Sequence, residues 1–224
     1  MHIVITGSSK GIGSYIYDVL KKKHQVIGLS RSQSKRTTFL CDVSSAEKVK
    51  EVFSKIKKID VLINNASITE PLKNPITNFD ITLKTNLSGT FYCSHYALKQ
   101  LKKSKVKKII NVSSINAHSA FPKNPGYVAS KGGVNSLTRA LALDYGPYGI
   151  IVNSLSLGYV AAGMTKNTYK DLKKRKIRSE RTILNRWGNP KDVVNAILFL
   201  ISNENSYITG SDIVLDGGWL AKGL

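Results

Sequence analysis

The chain predicts an α/β fold, a doubly wound parallel sheet with helices on both faces, in one domain. Three observations predict it. Short runs rich in Val and Ile recur along the chain, as strands buried on both faces require. Helical patterns separate them, so consecutive strands join by right-handed crossovers. A glycine-rich turn, Gly7 to Gly13, links the first run to the first helical pattern. A length of 224 residues and a hydrophobic content of 42% permit one large core.

In chain order, Met1 to Thr6 reads as a strand around Ile3, Val4 and Ile5, and a helix follows through Ile16, Val19 and Leu20. Val26 to Leu29 is the second strand, and Thr37 to Leu40 a weaker third. Val61 to Ile63, Ile109 to Val112, Ile150 to Val152 and Ile213 to Leu215 are the other apolar runs. Helices fall near Ala46 to Ile56, Gly89 to Leu101, Tyr127 to Tyr145 and Asp192 to Ile201. No linker, repeat or low-complexity segment divides residues 1–224. One long stretch, Gly158 to Pro190, has no assignment. It follows the sixth strand at the carboxyl edge of the sheet, where open α/β sheets bind ligands.

Two motifs carry chemistry. Tyr127 and Lys131 lie four apart on a helix, so they share a face. An ammonium beside a phenol stabilises the phenolate and lowers the phenol pKa. Ser114, thirteen residues upstream, offers a hydroxyl to hold a substrate oxygen while the tyrosine moves a proton. Such a device interconverts an alcohol and a carbonyl if something else carries the hydride. The glycine turn supplies that carrier's site: placed between strand and helix, its N–H groups approach a pyrophosphate. Its spacing is G-x-x-x-G-x-G.

At these residues the chain resembles the short-chain dehydrogenase/reductase family, from Ile3 to Gly218. The motifs occur in the family's order: Thr6 to Gly13, Cys41-Asp42-Val43, Asn64-Asn65-Ala66, Asn86, Ser114, Tyr127/Lys131, Val152-Asn153, Ile208-Thr209-Gly210 and Asp216-Gly217-Gly218. The likeness is to shorter members, such as 3-oxoacyl-acyl-carrier-protein reductases and small carbonyl or sugar dehydrogenases. It implies a Rossmann-type sheet of about seven strands, with a substrate lid at 158–190. It also implies a homodimer or homotetramer built through the helices around Asn86 to Leu101 and Tyr127 to Tyr145.

The resemblance implies a catalytic set of Asn86, Ser114, Tyr127 and Lys131. Tyr127 is the general acid for reduction. Lys131 lowers its pKa and binds the nicotinamide ribose. Asn86 kinks its helix and holds a water in a proton relay. Of the adjacent Ser113 and Ser114, the spacing to Tyr127 selects Ser114. The cofactor would lie against Gly7, Ser9, Lys10, Gly11, Ile12, Gly13, Arg31, Asp42, Val43, Asn65, Ala66, Tyr127, Lys131, Gly158 and Val160. Asp42 would accept from the adenine amino group, Asn65 and Ala66 would line the adenine-ribose side, and Asn64 would brace the sheet. An acid at the end of the second strand repels a 2′-phosphate. Here Leu29-Ser30-Arg31-Ser32 has no carboxylate, and Arg31 offers a cationic fork. With Lys10 in the turn, this resembles the family's NADP (NADPH) pattern.

Three departures stand out. Ser67 replaces glycine after Asn64-Asn65-Ala66, Leu157 replaces proline before Gly158, and Ala162 stands where a threonine contacts the carboxamide. Thr165 takes over if the loop shifts by three residues.

Composition sets the remaining bounds. The net charge is +20, from 34 Lys and Arg against 14 Asp and Glu, and the pI is about 9.9. Lysine dominates, and no aromatic-interleaved basic motif suggests nucleic acid. No stretch approaches a membrane span, and no secretory leader is evident. Four scattered histidines give no metal constellation. Cys41 and Cys93 read as reduced core thiols of a cytoplasmic protein. Seven of the twelve residues Lys170 to Arg181 are basic, which suits an anionic substrate, small or carrier-bound. The reading is an NADPH-dependent reductase of a ketone or aldehyde, with a 3-oxoacyl thioester first and a sugar or small metabolite second. A catalytically weak dinucleotide-binding regulator is the alternative from another class.

Overall fold

A computed structural model describes residues 1–69 and 74–222. Seven parallel strands form one sheet in the order β3-β2-β1-β4-β5-β6-β7. They are β1 (His2–Thr6), β2 (Gln25–Ser30), β3 (Phe39–Leu40), β4 (Val61–Asn64), β5 (Lys108–Ser114), β6 (Ile151–Leu157) and β7 (Asp212–Leu215). The helices are α1 (Gly11–Leu20), α2 (Ala46–Lys55), α3 (Pro75–Leu83), α4 (Gly89–Lys102), α5 (Pro125–Tyr145), α6 (Lys166–Lys170), α7 (Leu172–Glu180) and α8 (Pro190–Ile201).

Strand periodicity divides the core in two. Ile3, Ile5, Val61, Ile63 and Ile110 face α1 and α8. Val4, Leu62 and Ile109 face α2, α4 and α5. Chain order reverses between β1 and β4, so the loops after these strands diverge and leave a crevice at the carboxyl edge.

α3 was not anticipated from the sequence. Its Ile76, Phe79 and Ile81 are exposed and only Thr82 is buried, so it has no apolar stripe to read. Local chemistry starts it: Asn74 accepts from the N–H groups of Ile76 and Thr77, and Pro75 occupies the first turn. It runs into α4 through a π-helical turn, Lys84–Ser88. Asn86, expected to kink its helix, lies in this turn, and the Thr90 hydroxyl donates to the Asn86 carbonyl.

The region without a sequence assignment contains α6 and α7. It packs over loops at the carboxyl edge: Gly163 meets Gly11, Tyr159 meets Phe121, and Thr182 and Ile183 pack on Gly217 and Gly218. Gly28 shows how tightly the loop after β2 is set. A Cβ there would stand 1.8 Å from the Arg36 carbonyl oxygen. Gly28→Ala should therefore displace residues 31–38 and cost about 1–3 kcal/mol in chemical denaturation; unchanged stability would mean this loop yields freely.

Candidate active site

The site grows from the ends of β4 and β5 and the start of α5. Tyr127 lies in the first turn of α5 and Lys131 one turn on. The fully buried Ser130 donates to the Tyr127 carbonyl at 2.8 Å and accepts from Asn86 Nδ2 at 3.0 Å. Asn86 also donates to the Ile68 carbonyl at 2.9 Å and accepts the Ile68 N–H at 2.8 Å. The π turn aims this amide away from its own helix and into the loop after β4. Asn124, just before α5, donates to Thr69 and ties the same loop to the helix. The structure thus gathers Asn86, Ser114, Tyr127 and Lys131 at one place.

The two serines separate. Ser113 Oγ reaches the Lys131 carbonyl at 3.4 Å, while Ser114 lies beside the Tyr127 phenol. Ser114 Oγ also accepts from the Asn116 N–H and bonds Asn116 Oδ1, both at 3.2 Å.

Electrostatics corrects one expectation. The Tyr127 phenol sits above its ordinary pKa, because burial penalises the phenolate more than its neighbours help it. Those neighbours are Ser114 and Ser67, and Lys131 is not one of them. Lys131 Nζ lies 5.5 Å from the Tyr127 ring centroid but donates to the Val112 carbonyl at 2.9 Å. Burial lowers its own pKa to about 8. A buried ammonium beside a single carbonyl has lost most of its hydration, and that effect dominates.

The dinucleotide side fits the expected cofactor. Gly7 and Gly11 have φ of +71° and +64°, which favour glycine. A Cβ on Gly13 would lie 2.2 Å from the Gly7 carbonyl oxygen. No side chain caps α1, and no acid lies in its first turn, so its N-terminus suits an anion. Arg31 and Lys10 are exposed at this edge. Hydroxyls occupy the place of an acid after β2, with Ser9 Oγ 2.8 Å from Ser30 Oγ and 3.3 Å from Ser32 Oγ. Val43 is buried, and the Asp42 carboxylate accepts from Ser44 with one oxygen, Oδ1.

Some expected roles change. The Asn65 side chain is turned inward, donating to the Thr6 and Gly7 carbonyls, so it holds the glycine turn. Asn64, by contrast, braces the sheet as expected, donating to Asn111 on β5 and to Ser94 on α4. Leu157 is buried and pairs with both Ser114 and Leu215, so β6 continues where a proline would bend it. A Cβ on Gly158 would lie 2.7 Å from Asp216 Cα. Val160 is buried. Thr165 donates to the Val160 and Ala162 carbonyls, which spends its proton inside the loop.

Known proteins share this fold. A family model described as Enoyl-(Acyl carrier protein) reductase matches residues 4–220. The chain belongs to the short-chain dehydrogenase/reductase family. It is 32% identical to the 3-oxoacyl-[acyl-carrier-protein] reductase FabG of Rickettsia felis, over 97% of this chain and 95% of that protein. Among solved structures, 4-hydroxyisoleucine dehydrogenase complexed with NADH superposes with a TM-score of 0.89 at 31% identity, covering 98% of each chain. ElxO with NADP bound gives 0.87 at 30% identity, again covering 98% of each. Like its relatives, the chain is an oxidoreductase with a nicotinamide dinucleotide as cofactor.

Short-chain dehydrogenase/reductase motifs pointed to the four residues above but not to Ser130, Asn124 or Ile68. Their signal is only their proximity in sequence to motif residues.

The buried lysine sets a stability test. Its folded pKa of about 8 lies below the ordinary 10.5, so the folded state resists protonation. The resulting destabilisation is full below pH 8 and disappears as pH rises through 10.5. Lys131→Met should raise stability at pH 7 by up to ~3 kcal/mol, abolish turnover, and lose that gain as pH approaches 10.5. A variant less stable than the parent at pH 7 would contradict the assignment of a desolvated amine.

Proposed function

We propose that this protein reduces a 3-oxoacyl thioester with NADPH, with Tyr127 as general acid. The observation that carries the reading is the grouping of Asn86, Ser114, Tyr127 and Lys131 around a phenol whose pKa lies above its ordinary value. Burial keeps the proton on the phenol, and the serine hydroxyls beside it ease its loss. The substrate class draws on the FabG relative, and the segment 158–190 is read as the lid over it.

The residues divide the work. Ser114 holds the carbonyl oxygen, and Tyr127 gives it a proton as it becomes an alkoxide. When bound, the nicotinamide dinucleotide supplies the hydride. The N-terminus of α1 and the glycine turn hold its pyrophosphate. Lys131 holds the ribose hydroxyls. Asn86 keeps the loop after β4 in register with α5. Arg31 and Lys10 receive a 2′-phosphate, and the Asp42 carboxylate, its Oδ2 outside the bonds to Ser44, accepts from the adenine.

Several features support the finer reading. Lys170, Lys173 and Arg181 are exposed on the segment over the cleft, which suits an anionic or acidic-carrier-bound substrate. Lys174 pairs with Asp171, Lys176 stands 3.9 Å from Glu180, and Arg178 stacks on Tyr159, so only part of the basic run can act outward. Exposed Phe91 on α4 and Leu143 on α5 suit a homodimer or homotetramer through those helices. Cys41 and Cys93 are both buried free thiols, compatible with the cytoplasm. No helix among the described residues is long and apolar enough to cross a membrane.

Tyr127→Phe should keep the fold and cofactor binding yet lower the rate of acetoacetyl-thioester reduction by about 10²–10⁴. The parent's reduction should persist into alkaline pH and fall as pH passes the Tyr127 pKa; retained turnover in folded Tyr127→Phe would assign the proton to another group.

Arg31→Ala should weaken NADPH binding by about ten- to hundredfold, the worth of one charge-assisted hydrogen bond, with NADH binding nearly unchanged. Calorimetric titration with both cofactors decides it, and an equal loss for the two would remove Arg31 from the 2′-phosphate site.

A further inference from the structure

We propose that Ser67 is a positioning residue, a second hydroxyl that donates to the oxygen of Tyr127 when that oxygen carries charge. The inference deepens the reading of Tyr127 as the general acid and rests on it.

Ser67 stands where the family motif expects glycine, so its hydroxyl is an addition of this chain. Its Oγ is shielded from solvent and makes no full hydrogen bond. A buried hydroxyl without a partner destabilises a fold unless it serves something else. The loop that carries it is held on every side. Thr6 Oγ1 accepts from the N–H groups of Asn65 and Ala66 at 3.0 and 2.9 Å. Asn86 clamps both polar groups of Ile68, and Asn124 takes Thr69. Two of these ties run to the start of the Tyr127 helix, to Asn124 just before α5 and, through Asn86, to Ser130 within it. They hold the loop of Ser67 against that helix start, and Ser67 is one of the two hydroxyls that bear on the phenol.

The other donors near that phenol have tasks of their own. The Ser114 hydroxyl, on Asn116 Oδ1 in this structure, is the one that turns to the substrate oxygen, and the Lys131 amine is anchored on the Val112 carbonyl with two protons left for the ribose. Ser67 has no such task. As Tyr127 loses its own proton, the oxygen gains negative charge, and a prepositioned O–H strengthens its bond at that moment. Ser114 can then stay with the substrate carbonyl. The influence of Ser67 on the phenol's acidity agrees with this placement.

Few charges compete there. Among the described residues, Lys131 is the ionisable group against the ring. Asp80 on α3 and Lys84 on the π turn are exposed. His118, after β5, pairs with Asp212 at 2.6 Å, and Arg178 on α7 stacks on Tyr159.

The test reads Tyr127 itself. The protein is made with 3-fluorotyrosine, whose greater acidity brings the titration into the folded range. Its ¹⁹F spectrum is followed against pH, with Tyr127 identified by the resonance lost in Tyr127→Phe. Ser67→Ala should raise the apparent Tyr127 pKa by about 1, which is ~1.4 kcal/mol. Ser67→Gly should give the same rise, although it changes packing differently, and Ser67→Thr should restore the parent value. The alkaline limb of acetoacetyl-thioester reduction should move up with it. A Tyr127 resonance titrating alike in the parent, Ser67→Ala and Ser67→Gly would overturn the proposal. So would a fall in kcat with no movement of the pH profile, since that marks a merely structural role. Failure of the general-acid reading is separate: it appears as retained turnover in Tyr127→Phe, whatever the fluorine titration shows.

Discussion

The Asn86 amide holds together the parts on which the rest of the site depends. It is buried in a π turn and spends its oxygen and nitrogen on the Ile68 main chain and on Ser130. A regular α-helix would send this side chain elsewhere, because the extra residue of the π turn rotates everything after it. The Thr90 hydroxyl satisfies the Asn86 carbonyl within the turn. Through Ser130 the amide reaches the Tyr127 carbonyl, and through Ile68 it fixes the loop after β4. The spacing of the reacting groups is thus set by hydrogen bonds to the main chain, which deform little.

Burial governs the chemistry of that cluster. Desolvation holds the Tyr127 phenol protonated and the Lys131 amine only weakly basic. Both effects favour neutral groups, which costs stability where a charge must be kept. The lysine sits beneath the tyrosine and beside a strand carbonyl instead of on a solvated helix face. This geometry lets hydroxyls, more than the cation, act on the phenol. Active sites commonly hold such strain, and the well-packed sheet around it supplies the compensating stability.

The cofactor edge shows the opposite economy. It has little buried charge, with glycines that admit close approach and an uncapped helix terminus suited to an anion. Serine hydroxyls replace a carboxylate after β2, leaving the exposed Arg31 and Lys10 as the local charges. Arg36 donates to both carboxylate oxygens of Asp18, from Nε at 2.7 Å and from Nη2 at 2.6 Å, which removes that arginine from the same role.

The sequence by itself determined the sheet, because parallel strands buried on both faces must be continuous apolar runs such as Ile3-Val4-Ile5 and Ile109 to Val112. It determined where the crevice lies, since a glycine turn directly after β1 can serve only the carboxyl edge. The spacing of Tyr127 and Lys131 fixed their shared face, because helical geometry is local. Tertiary structure alone decided the rest. α3 was illegible because a helix without an apolar stripe leaves no period. The inward turn of Asn65 and of Thr165 depended on carbonyls brought there by other segments. The direction of the Tyr127 pKa depended on how deeply the phenol is buried and on which groups face it, and neither is a property of spacing along the chain. Ser67 was visible in the sequence as a departure from glycine, but only the fold brings its hydroxyl to Tyr127, because the two are separated by 59 residues of intervening chain.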